Sequence, residues 1–144
     1  MKKKKIIFFH PYSVFGGADL SISKLIESVP DEFDIDFITL SKNPKIKFYT
    51  NRKIKIIKIN KRKTILSLIE IRNFLKKELL NYNKIIFLSN QNFANLIALV
   101  SSFNLKKVKN ISFERNHLSE LNYGENIFIF LKNQIIKILI KFLY

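Results

Sequence analysis

Four apolar residues in a row, Ile6 to Phe9, predict a buried strand, and apolar positions at Ala18, Ile22, Leu25, Ile26 and Val29 recur at helical spacing behind it. Pro30 and Asp31 end that helix. Phe33-Asp34-Ile35-Asp36-Phe37 alternates with period two and runs into Ile38-Thr39-Leu40, a second strand. Residues 41–53 hold Pro44 and little pattern, and read as a loop. Ile54 to Ile59 is a third strand, placed nearer a sheet edge because lysines interrupt it. Thr64 is the expected N-cap of a helix with Leu68, Ile71, Leu75 and Leu79 on one face. Ile85 to Leu88 predicts a fourth buried strand, which hands over at the polar run Ser89-Asn90-Gln91-Asn92 to a helix carrying Phe93, Leu96, Ile97 and Val100. Val108 to Phe113 predicts a fifth strand, and Ile127 to Tyr144 a final apolar helix after a break at Gly124.

Strand and helix alternate, and the strands are continuous apolar runs. That combination points to a parallel sheet covered on both faces. The expected fold is therefore α/β, a Rossmann-like three-layer domain with sheet order 3-2-1-4-5, occupying residues 1–144 as one unit. Ligands of such sheets bind at the carboxyl ends of the strands, and the first such end carries Gly16-Gly17, two of only three glycines in the chain. Glycine there serves either a positive φ or the close approach of a ligand to the backbone. A helix that opens just behind it offers its amino end to a phosphate or carboxylate. The turn is neither Gly-x-Gly-x-x-Gly nor a P-loop, so a plain strand-to-helix connection is an equal reading. Asp19 falls in the first helical turn, where a carboxylate suits the positive end of the helix dipole.

Composition adds three points. The chain has no cysteine, which excludes disulfides, thiolate nucleophiles and cysteine-ligated metals, and its two histidines stand far apart, so no metal is expected. The apolar run behind Lys2 to Lys5 stops at His10-Pro11, too short for a secretion signal, so a cytoplasmic location is expected. The net charge of +15 calls for a polyanionic partner, or reflects a coding bias toward Lys, Asn, Ile and Phe.

Three strand ends carry polar clusters: Gly16-Gly17-Ala18-Asp19, Ser89-Asn90-Gln91-Asn92 and Glu114-Arg115-Asn116-His117. The first and last, at these ends of these strands, resemble the N-terminal domain of GT-B glycosyltransferases of the family-4 type. There a Gly-Gly-Ala/Ser-Glu turn follows the first strand, and a Ser-Glu-Arg-Asn-like segment follows the fifth. This chain has Asp19 in place of the glutamate, and Phe113 inserted after Ser112. The resemblance covers nearly the whole chain. It implies transfer of a sugar, with retention, from a nucleotide-sugar donor to an acceptor glycan or glycolipid, with no further cofactor. It places Gly16, Gly17, Asp19, Asn90, Glu114 and Arg115 against donor phosphates and substrate, and makes His117 the candidate catalytic group, orienting a hydroxyl. In that family the donor site lies largely in a second domain. The expectation is that such a domain, on the full-length protein or a separate chain, is required for turnover.

From Lys42 to Lys63 there are ten basic residues and no acidic one. Anionic lipid attracts such a stretch, and Lys53, Lys55 and Lys58 are the candidate docking residues for a peripheral position on the inner face of the membrane. A solvated face reads equally well, and Phe48 and Tyr49 leave single-stranded nucleic acid open as the weaker partner. The last helix has three lysines in eighteen residues, which argues against spanning and for packing on the sheet or on further protein, with an interfacial position second. The alternative to a transferase is a non-enzymatic basic α/β module that binds nucleic acid or phosphorylated ligands.

Overall fold

The computed structural model describes residues 4–12, 16–113, 122 and 127–143. Five strands, β1 (Lys4–Phe9), β2 (Phe33–Thr39), β3 (Ile54–Lys58), β4 (Lys84–Asn90) and β5 (Val108–Phe113), form one sheet in the order β3-β2-β1-β4-β5. Every neighbouring pair is parallel. Helices α1 (Gly17–Glu27), α2 (Leu68–Glu78), α3 (Asn92–Ser102) and α4 (Ile127–Leu143) complete the chain.

The alternation of side chains along β1 splits the core in two. Ile7 and Phe9 join Ile38, Ile71, Leu75, Phe87 and Ile97 under α2 and α3. Ile6 and Phe8 join Ile22, Ile26, Ile35 and Phe37 under α1. Phe8, Phe9, Phe37 and Phe87 are all fully buried, each worth about 1.5–3 kcal/mol against exposure. A central strand with both faces covered must be apolar at successive positions, which is why β1 reads as an unbroken run.

The segment 41–53 is irregular, as expected, yet it is part of the α1-side layer. Ile46 and Phe48 pack on the core, and the Phe48 ring meets Phe37 edge-on at 5.3 Å. Arg52 pins the segment by donating to the carbonyl oxygens of Val29 and Phe33. The Phe48 ring, expected to be available for base stacking, is thus engaged in packing.

Other boundaries differ from the expected ones. Thr64 opens a 3-10 turn, Thr64–Ser67, and α2 begins after it, so Thr64 is not the N-cap of α2. Ser67 instead donates its hydroxyl to the Thr64 carbonyl. β4 runs on through Ser89 and Asn90, both buried, beyond the apolar run. On α4, Ile136 packs against Phe93, while Ile127, Leu131, Ile135 and Ile138 are exposed along one face. Among the described residues no helix is long and apolar enough to cross a membrane.

Candidate functional site

The sheet's carboxyl edge is built by β1 continuing into an irregular segment that still pairs with β2. The His10 N–H donates to the Ile38 carbonyl at 3.0 Å, and the Pro11 carbonyl accepts from the Leu40 N–H at 2.8 Å and from the Thr39 hydroxyl at 3.1 Å. These bonds fix where the chain leaves the sheet. At the far side of the turn Gly16 is the N-cap of α1, in an extended conformation with φ −133°.

Asp19 sits in the first turn of α1 and is buried. One carboxylate oxygen accepts the Gly16 N–H at 3.0 Å, the backward half of a capping box and the only half a glycine N-cap permits. The other lies 3.3 Å from Nε2 of His10, which is buried as well. On the opposite side of the ring, Nδ2 of Asn90 lies 3.4 Å from His10 Nδ1. Asn90 Oδ1 is buried and has no hydrogen-bond partner among the described residues.

A second set of buried contacts extends the edge toward β5. The Ser89 hydroxyl donates to Asn95 Oδ1 at 2.7 Å, and Asn95 Nδ2 donates to the Phe113 carbonyl at 3.1 Å. Two polar sets therefore meet at the end of β4: Asn90 faces His10, Asp19 and the start of α1, while its neighbour Ser89 faces Asn95 and, through it, the end of β5. Buried polar groups of this kind fix geometry because leaving any one unsatisfied is costly.

Of the residues singled out in the sequence, Gly16, Gly17, Asp19 and Asn90 come together at this edge. Gly16 and Gly17 are exposed, while Asp19 and Asn90 are 2% and 1% exposed and face inward. Among the described residues no glycine has a positive φ, so conformational need does not explain the pair, contrary to one of the two reasons offered for it. Packing among the described residues does not explain it either, since a Cβ at Gly16 or Gly17 would meet none of them within 4 Å. Glu114, Arg115 and His117 lie outside the described residues. Among the described residues no group of histidine, aspartate or glutamate is arranged to hold a metal ion.

His10 and Asn95 were not singled out in the sequence. A histidine closing an apolar strand, with an aspartate nine positions on in the next helix, was the available signal for the first. Nothing local marked Asn95, which looks like any polar residue of a helix.

The three lysines expected to dock on lipid lie in and just before the edge strand β3. Lys53, Lys55 and Lys58 are all exposed. Strand alternation puts Lys55 and Lys58 on opposite faces of β3. Lys53 and Lys55 line a cleft of about 390 Å³ at the amino end of the sheet, together with Lys5, Asp34, Asp36, Glu78 and Tyr82.

No protein-family model matches the chain, and no curated protein matches it in sequence. In three dimensions it is similar to a solved structure, the apo form of the lipopolysaccharide outer core galactosyltransferase WaaB, with a TM-score of 0.58 and 14% identity. The match covers 89% of this chain and 37% of that one, so the chain spans little more than a third of its neighbour's length. At that identity the likeness is one of fold. The Rossmann-like parallel sheet expected from the sequence is the sheet observed, and it matches part of a GT-B glycosyltransferase.

Proposed function

We propose that this chain is the N-terminal, acceptor-side part of a retaining GT-B glycosyltransferase of the family-4 type, moving a sugar from a nucleotide-sugar donor to a glycan or glycolipid acceptor. The observation that carries the reading is the turn at the end of β1. Two exposed glycines with open space above them lead directly into the amino end of α1. Neither packing against the described residues nor backbone conformation accounts for both being glycine. A ligand that approaches the backbone closely does, and a helix amino end favours a phosphate there. The fold shared with part of a glycosyltransferase supports the same reading.

In this scheme Gly16 and Gly17 lie along the donor phosphates. Asp19 and Asn90 act from below, holding His10 and the turn in place. Arg115 meets phosphate with its planar fork of donors, and His117 orients the reacting hydroxyl. A second domain, on the same protein or a separate chain, supplies most of the donor site. The basic segment around Lys53, Lys55 and Lys58 holds the enzyme peripherally on anionic membrane lipid.

The test is sugar transfer by the protein carrying both domains. Gly17→Val fills the open space over the turn, and Arg115→Ala removes a phosphate partner worth about 2 kcal/mol or more when desolvated. Both are expected to lower transfer at least tenfold while the melting temperature stays nearly constant. Full activity in both variants would overturn the cleft assignment, and loss of folding in both would return the turn to a purely structural role.

A further inference from the structure

A second cavity, of about 460 Å³, opens at the same carboxyl edge. Its described walls are Tyr12, Lys63, Thr64, Ile65 and Phe93. They come from three places: the segment leaving β1, the 3-10 turn that comes after β3, and the first turn of α3. The walls are braced from behind. The Tyr12 hydroxyl donates to the Arg62 carbonyl at 2.7 Å, and Phe93 is packed on Ile136 of α4.

Two properties of the cavity narrow its ligand. First, its surface is largely aromatic and aliphatic, and the turn that supplies Ile65 and the start of α2 after it carry further exposed apolar residues: Ile65, Leu66 and Ile69 are 48%, 57% and 69% exposed. Exposed apolar residues grouped in this way mark an interaction site, whereas single exposed apolar residues do not. Second, the only charge among the described walls is a cation. Lys63 is exposed and its ammonium makes no ion pair among the described residues, unlike the nearby Lys61, which lies 2.9 Å from Glu70. A neutral hydrocarbon would leave Lys63 without a counter-charge. A nucleotide base would bring several polar edge atoms against walls that offer them almost no partner, at a desolvation cost. A molecule with an apolar body and an anionic head matches both properties, and the volume lies in the range of small-molecule sites.

We infer that this cavity binds an anionic amphiphile, with a hydrocarbon chain between Tyr12, Ile65 and Phe93 and a phosphate or carboxylate at Lys63. The further step, that this molecule is the acceptor or carries it, rests on the transferase reading above. The binding itself does not.

The experiment titrates the chain with monomeric decyl phosphate, decanol, inorganic phosphate and a uridine nucleotide, by calorimetry and by backbone and methyl NMR. Vesicles of anionic phospholipid form a separate arm. Ile65→Glu and Lys63→Glu change exposed side chains, and a melting curve checks that each variant folds. Decyl phosphate is expected to bind at least tenfold more tightly than decanol or inorganic phosphate, to shift Thr64, Ile65 and Phe93, and to lose at least tenfold in each variant. Equal binding of decanol, unchanged binding in Ile65→Glu, displacement by the nucleotide, or binding to vesicles without binding of the monomer would each overturn the assignment. No sugar donor is present, so a protein that transfers no sugar yet binds decyl phosphate sinks only the transferase reading. One that transfers sugar but ignores the amphiphile sinks only this one.

Discussion

Lys5 is a lysine near the start of a strand, and the sequence around it reads as a solvated basic terminus. In the fold it is 3% exposed, with its ammonium 2.7 Å from Asp36 and hydrogen-bonded also to Glu78, both buried. The Tyr82 ring covers it at 4.4 Å. One ammonium cannot offset two buried carboxylates. Burial raises the Asp36 carboxyl above its ordinary value of 3.8, Lys5 opposes this by hydrogen bond and charge, and Glu78 adds to the rise. For Lys5 burial acts downward, but the two carboxylates outweigh it and the ammonium is held above 10.5. Linkage converts both shifts into stability. A raised Asp36 means that folding takes up a proton, so its contribution to stability is largest at low pH and is lost as pH rises through the raised value. The raised Lys5 contributes stability below 10.5 and loses it as pH climbs beyond its folded value. Lys5→Met, which strands two carboxylates, should cost about 3–5 kcal/mol in urea unfolding. Asp36→Asn should stay within about 1 kcal/mol at neutral pH, because it removes the carboxylate that is hardest to bury and leaves Lys5 paired with Glu78. The stability of the wild type relative to Asp36→Asn should fall from pH 4 upward, and a flat difference would refute the assignment.

Among the elements, the junction of β4 and α3 is the strained one. Gln91 has φ 88° and ψ 140°, a region that suits glycine and costs other residues about 1–3 kcal/mol. The first turn of α3 holds this strain in place: the Asn95 N–H donates to the Gln91 carbonyl at 2.8 Å, and Asn95 itself is locked between Ser89 and Phe113. Gln91→Gly should therefore stabilise the domain by about 1 kcal/mol, raising its melting temperature by a few degrees. A lowered melting temperature would mean that the Gln91 side chain contributes more than its backbone costs. The same junction shows why the strand end was underestimated. Ser89 and Asn90 are polar, so the apolar pattern stops at Leu88, yet both stay in the sheet because Asn95 and His10 supply partners.

For the molecule as a whole, the net charge of +15 is unevenly committed. Arg52 ties a loop to the core, Lys61 pairs with Glu70, and Lys55 stands beside Asp36 in the β2–β3 register, where its charge lowers the cost of the buried carboxylate. This changes the expected outcome of a lipid-docking test. Each basic residue near an anionic membrane adds about 1 kcal/mol, screened by salt. Lys58→Glu should weaken co-sedimentation with anionic liposomes and leave the melting temperature unchanged. Lys55→Glu should lower the melting temperature as well, since it brings a fourth carboxylate to the cleft of Asp34, Asp36 and Glu78. Liposome binding that ignores salt, or that survives reversal of Lys53, Lys55 and Lys58 together, would remove the docking proposal.

The sequence by itself determined the order and type of the elements, the parallel sheet and its strand order, and the position of the Gly16–Gly17 turn at a carboxyl edge. The elements and the parallel sheet come from periodicity and from the rule that strands buried on both faces are apolar throughout, which are properties of the chain read locally, and the strand order from the usual arrangement of such α/β folds. Only the tertiary structure decided that Asn90 and Asp19 meet His10 from opposite sides, that Asn95 meets Ser89 and the end of β5, and that Lys5 is buried between two acids. It also decided that Phe48 packs on the core and that Tyr12, Ile65 and Phe93 line a cavity. Each of these depends on residues tens of positions apart meeting across strand ends. Burial and partnership are set by that meeting and leave no mark in the local pattern of apolar and polar positions.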